Sequence, residues 1–204
     1  MKFMKWKILV LTCLVCLLPI FLGVALWNEL PEEMAIHFNI YGEPDNFASK
    51  SFGVFGLPAM MALLQVFCCF INDFNANKHG DRKKFEMVTK WIIPVMAIVL
   101  QIALLGYSIG WAVDARRVAT VIVGGVFLVI GNYMPKFAEI KHYDVETQKA
   151  RKINRFIGFE TVVMGILFLL SLFFPPVATV ICLILLIPYA GISIIYGIKV
   201  GKGK

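Results

Sequence analysis

Six apolar runs, each near the length needed to cross a bilayer, constrain this chain more than any other feature. They are residues 8–27, 52–71, 91–111, 118–134, 157–174 and 177–196, and Glu160 is the single charge inside them. A hydrocarbon core about 30 Å thick takes about 20 residues of helix. Lipid offers no partner to a backbone N–H or C=O, so each run has to close its hydrogen bonds internally, as a helix. The expected fold is therefore all-α, a polytopic membrane protein of six transmembrane helices. The runs take up more than half of the 204 residues, so residues 1–204 read as a single membrane domain with no separate soluble one. Composition agrees: 59% of residues are apolar, 16% are charged and the mean hydropathy is +0.79, whereas soluble chains hold about 25% charged residues.

The first run has one competing reading. Lys2, Lys5 and Lys7 precede it and Gly23-Val24-Ala25 resembles a cleavage site, as in a secretory leader. A leader's apolar region is about 7–15 residues long, shorter than this run, so a retained span is expected. Sidedness follows from the basic residues, which are kept on the cytoplasmic side. Of 20 Lys and Arg, 17 fall before residue 8, in 72–90, in 135–156 and after residue 196, against Lys50, Arg116 and Arg117 in the alternate segments. Both termini are thus expected in the cytoplasm, with 72–90 and 135–156 as basic cytoplasmic loops and 28–51 outside. The net charge of +7 is explained by this flanking pattern, and no direct nucleic-acid partner is expected.

Within the spans, Pro19, Pro58, Pro94 and Pro188 each remove a backbone hydrogen bond and bend a helix. Gly106 and Gly110 form a G-x-x-x-G, and Gly124, Gly125 and Gly131 give the fourth span a small face, so those helices are expected to pack closely. The five cysteines, Cys13, Cys16, Cys68, Cys69 and Cys182, all lie in apolar runs and read as small core residues. No metal site or cofactor is expected from them.

Chemistry at membrane depth needs ionisable groups there, and the runs supply only Glu160, with Asn132, Gln65 and Gln101 as neutral polar residues. Glu160 is expected near the cytoplasmic boundary, reaching headgroups or Arg155; the alternative is a proton or cation site facing the bundle. The sequence holds no H-E-x-x-H and no phosphate loop, so no catalytic residue is named and the protein is not expected to be an enzyme.

Residues 28–51 differ in kind. Glu29, Glu32, Glu33, Glu43 and Asp45 face a single Lys50 there. Pro31 followed by two glutamates fits the first turn of a short helix, its carboxylates meeting the positive end of the dipole. Residues 41–46 then read as a turn cluster, and Ser49 or Ser51 as the cap of the second span. This acidic segment is the candidate ligand-binding surface, through Glu32, Glu33, His37, Asn39, Gly42, Glu43, Pro44, Asp45, Ser49 and Lys50. A divalent cation on His37, Glu43 and Asp45 is the weaker alternative. On the other side, Lys149, Arg151, Lys152 and Arg155 project from an expected helix begun by Asp144, which reads either as a site for a cytoplasmic partner or as a lipid-headgroup contact.

The residues also carry a resemblance. Leu30-Pro31-Glu32-Glu33-Met34-Ala35-Ile36-His37-Phe38-Asn39, then Gly42, Pro44-Asp45, Ser49-Lys50 and the span holding Pro58, resemble the N-terminal module of bacterial multi-pass proteins of the SdpI family. Ile130-Gly131-Asn132-Tyr133-Met134-Pro135-Lys136 looks like that family's Gly-Asn-Tyr-x-Pro-Lys motif, followed by Asn154-Arg155-Phe156 and Gly158. Where the family carries a Gly-Ile-Arg/Lys-x-Pro-Trp-Thr-Leu segment, this chain has Phe137-Ala138-Glu139-Ile140-Lys141-His142-Tyr143-Asp144-Val145. The resemblance implies a bacterial plasma-membrane immunity protein, which resists or senses a secreted antimicrobial peptide toxin on its outer face and recruits a cytoplasmic repressor on its inner face. A small permease or ion-coupled transporter is the second reading, motivated by Glu160 and the prolines.

Overall fold

The computed structural model describes residues 5–79, 83–135 and 145–202. Six helices among them are long and apolar enough to cross a membrane: Trp6–Ala25, Phe52–Phe74, Phe85–Ser108, Ala115–Tyr133, Gln148–Ser171 and Pro176–Gly201. The chain is thus a helical, multi-pass membrane protein. It divides into two compact units, Met1–Val118 and Ala119–Lys204.

In the first unit, the opening span is built of α1 (Trp6–Leu17) and α2 (Pro19–Ala25). Pro19 has no N–H to continue the ladder and takes the first helical position of α2. Leu9, Thr12 and Cys16 line one face of α1 and are buried, and the Cys13 thiol reaches the Ala62 carbonyl at 3.8 Å. The first span is therefore a packed member of the bundle.

The chain then makes an antiparallel hairpin of β1 (Glu33–Phe38) and β2 (Pro44–Ser49), which corrects the helix expected after Pro31. A helix that short is marginal without tertiary support. Here Asn39 turns the chain back so that Glu33 pairs with Ser49, Met34 with Ala48 and Ala35 with Phe47, with a bulge after Ala35. At the turn Gly42 adopts φ +84°, a conformation costly to any residue with a Cβ.

The second span opens with a π-helical turn, Phe52–Gly56, and continues as α3 (Leu57–His79). Ser49, rather than Ser51, receives the Phe52 amide on its hydroxyl, at 3.3 Å. A π turn leaves a carbonyl out of the regular ladder, and the buried Gln101 donates to that of Gly53 at 2.8 Å. Pro58 follows the π turn within the continuous helix and has no N–H to offer that turn; Pro94 and Pro188 likewise sit inside their helices.

The third span is α4 (Lys83–Ser108). The expected helix contact at Gly106 and Gly110 is corrected: α4 ends before Gly110, which has φ +89°, and the Trp111 indole folds back over Gly106. Leu30, Met34, Val54, Leu104 and Leu105 form the core beneath the hairpin. The hairpin therefore rests on the ends of the spans, with Phe38 edge-on to Tyr107 at 4.9 Å.

The second unit holds most of α5 (Ala115–Tyr133), with α6 (Val145–Ser171) and α7 (Pro176–Lys202). The small face expected on the fourth span is present and finds a matching one on α6. A Cβ on Gly131 would lie 2.7 Å from the Gly158 carbonyl oxygen, and one on Gly158 2.8 Å from that of Gly131. Gly124 and Gly165 repeat this two turns away, at 3.1 and 2.9 Å. Gly125, by contrast, faces open space. Between α6 and α7, Thr161 hydrogen-bonds Tyr189 at 2.8 Å and Ser171 bonds Thr179 at 3.1 Å.

Candidate functional site

The hairpin gathers most of the residues expected to bind a ligand, and gives several of them structural work. Lys50 is buried; its ammonium donates to Glu32 at 2.9 Å and to the Trp27 carbonyl at 3.4 Å, and lies over the Trp27 ring. Asn39 builds the turn: its side-chain oxygen accepts from the amides of Tyr41 and Glu43, and its amide nitrogen donates to the Glu43 carboxylate at 3.0 Å. Gly42 supplies the positive φ, Pro44 opens β2 and Ser49 caps the next span.

His37 and Asp45 pair across the exposed face at 2.5 Å. Glu43 is drawn to Asn39 instead of joining them, and no group of three His, Cys, Asp or Glu among the described residues is arranged to hold a metal ion. Glu29 and Glu33 are exposed, without a side-chain partner among the described residues. The face thus presents carboxylates on a rigid support, of which Glu29 and Glu33 are the most open to an incoming cation.

At the opposite end of the same unit lies a cluster that the sequence reading missed. Asp73, Glu86 and Lys90 belong to the stretch 72–90 expected as a loop, yet α3 and α4 extend past their apolar runs and bury all three, to 4%, 5% and 1% exposure. Lys90 pairs with Asp73 Oδ1. Lys5 donates its backbone N–H to Asp73 Oδ2 at 3.0 Å and its ammonium to Glu86 at 2.5 Å. The four groups come from α3, α4 and the residue preceding α1, and their formal charges cancel.

A polar seam continues into the bundle from this cluster. Thr89 donates to Asn72 at 2.8 Å, and Gln65 donates to the Lys90 carbonyl at 2.8 Å. Gln65 is fully buried, and its Oε1 has no hydrogen-bond partner among the described residues. A signal for the cluster was present: Gln65, Cys69 and Asp73 recur every fourth residue, as do Glu86 and Lys90, which aligns each set on one helical face.

In the second unit, Glu160 accepts from the Ser193 hydroxyl at 2.9 Å, which corrects the expected contact with Arg155; it lies on α6 five residues beyond the exposed Arg155. Asn132 is exposed in the last turn of α5. Arg151, Lys152 and Arg155 are exposed along α6, and Lys149 donates to the Gly201 carbonyl at 3.3 Å. Asp144, the expected N-cap, and the departing segment upstream of it lie outside the described residues.

Against known proteins, residues 14–62 match a family described as a domain of unknown function, DUF1648. The match takes in most of the first span, the hairpin and the start of the second span. No curated protein and no solved structure matches the chain.

Proposed function

We propose that the protein is a non-catalytic receptor in a bacterial plasma membrane, which confers resistance to, or senses, a secreted cationic peptide met on the outward-facing hairpin. The observation that carries this reading is the hairpin itself: an acidic platform fixed to the span ends by Met34, Phe38 and Lys50, with Glu29 and Glu33 left open. The distribution of basic residues supports cytoplasmic termini and an outward hairpin, and the resemblance to the SdpI family supports a peptide toxin as the ligand. The exposed basic face of α6 is then the surface offered to a cytoplasmic repressor.

Exposed ion pairs contribute about 0.2–1 kcal/mol each, so two carboxylates change peptide affinity by roughly 2- to 30-fold. The test is survival of peptide-sensitive cells expressing the protein. Glu29→Lys with Glu33→Lys, which also adds like-charge repulsion, should lower protection by at least that factor at equal membrane level. Protection unchanged by the double variant would remove the hairpin from the account.

A specific observation keeps the second reading, a small permease or ion-coupled transporter. The buried Gln65 oxygen and Glu160 are polar groups within apolar helices, of the kind found on substrate and ion paths. Transport predicts loss of activity in Gln65→Leu or Glu160→Gln, to which a surface receptor is indifferent.

A further inference from the structure

The hairpin turn is built in a way that its pairing with the spans does not require. Its residues Ile40 and Tyr41 are large, apolar or amphipathic, and 53% and 66% exposed. Four of its amides are satisfied internally: Asn39 donates to the Glu43 carbonyl, Gly42 to the Asn39 carbonyl, and Tyr41 and Glu43 to the Asn39 side chain. Each amide closed in this way lowers the cost of entering a medium poor in hydrogen-bond partners.

The height of the turn is set by its neighbours. A Cβ on Gly42 would lie 3.5 Å from Asp114 Oδ1 and 3.6 Å from Arg116 Cβ, so the turn touches the start of α5. That helix has 19 residues, a length of about 28 Å, which matches a hydrocarbon core of about 30 Å. Its first turn therefore lies at the membrane boundary. Asp114 holds it on the polar side, accepting the Arg117 amide at 2.9 Å and pairing with the Arg117 side chain at 3.0 Å. Trp111, 58% exposed, precedes it. Trp and Tyr concentrate at this depth in membrane proteins because their rings are apolar and their N–H or O–H is polar.

We propose that the hairpin tip is a lipid-binding element: Ile40 and Tyr41 enter the headgroup layer of the leaflet in which α5 begins, and phospholipid is their partner. The tip is thereby held at the interface from its free side, as Met34 and Phe38 hold the strands from beneath. This does not rest on the peptide reading or on which side the hairpin faces.

The experiment uses the full chain in phosphatidylcholine vesicles, with Tyr41→Trp read as a difference from the wild type. The added indole should emit at shorter wavelength than an indole in water, lose most of its emission to phosphatidylcholine brominated close to the glycerol backbone, and resist aqueous iodide. Ile40→Trp provides the same reading should Tyr41→Trp fail to fold. Indoles at both positions that iodide quenches and brominated lipid does not would overturn the proposal.

Discussion

Removing one member of the buried Asp73–Lys90 pair should be far more damaging than removing both. Lys90 is 1% exposed and Asp73 is 4% exposed, so Asp73→Asn leaves an ammonium with little access to water, and weakens the anchor for the Lys5 amide. Orphaning one charge of a buried pair costs about 3–5 kcal/mol, a large part of the roughly 5–15 kcal/mol that holds a typical fold. For a chain of this size that corresponds to a fall in melting temperature of about 6–20 °C. Lys90→Met alone leaves the Asp73 carboxylate with the Lys5 amide but without the Lys90 ammonium, and should also destabilise. The double variant, Asp73→Asn with Lys90→Met, carries neither charge and should recover most of the loss. The assay is thermal unfolding in detergent for the wild type, both single variants and the double, read as a cycle that isolates the pair's coupling. Single losses under about 1 kcal/mol that simply add in the double variant would refute a desolvated, mutually dependent pair.

The glycine contacts between α5 and α6 predict that Gly131→Ala destabilises by about 1–3 kcal/mol, because the new methyl meets backbone atoms, while Gly125→Ala, facing open space, leaves the melting temperature unchanged or raises it; the two melts side by side check this. Gln101→Ala leaves the Gly53 carbonyl buried and unpaired, and should cost about 1–3 kcal/mol in the same assay. Gly42→Ala forces a Cβ into φ +84° and should cost about 1–2 kcal/mol, seen as faster proteolysis of the hairpin. Sidedness is checked in intact cells with an impermeant thiol reagent: Glu43→Cys should label and Gly80→Cys should not, and the reverse would invert the orientation.

The six spans were legible because lipid requires long uninterrupted apolar helices, and that signal is written into composition alone. Helix ends were less legible: α3 and α4 continue beyond their apolar runs, since a helical face that packs on other helices tolerates charges such as Asp73 and Lys90 when they meet each other. Pairing of that kind joins Lys5 to residues 68 and 81 positions away, a relation that span-finding does not see. The hairpin was hidden for a different reason. Pro-Glu-Glu suits a helix start, and it took the long-range return enforced by Asn39 and Gly42, with burial of Met34 and Ala35, to make the segment extended. The small face on α5 was readable from its glycines, but its partner Gly158 on α6 was visible only as part of a motif. Glu160 was found by its charge, while its partner Ser193, on another helix, was not.

The claim that the hairpin receives a cationic peptide is tested most directly by cross-linking. Cells expressing the protein would be exposed to the protective-assay peptide carrying a photoreactive group, and the attached residues mapped by mass spectrometry. A peptide seated on the hairpin gives cross-links within residues 28–51, diminished when Glu29→Lys and Glu33→Lys are introduced together. Cross-links confined to the spans or to α6, or a hairpin yield that ignores the charge reversals, would contradict it.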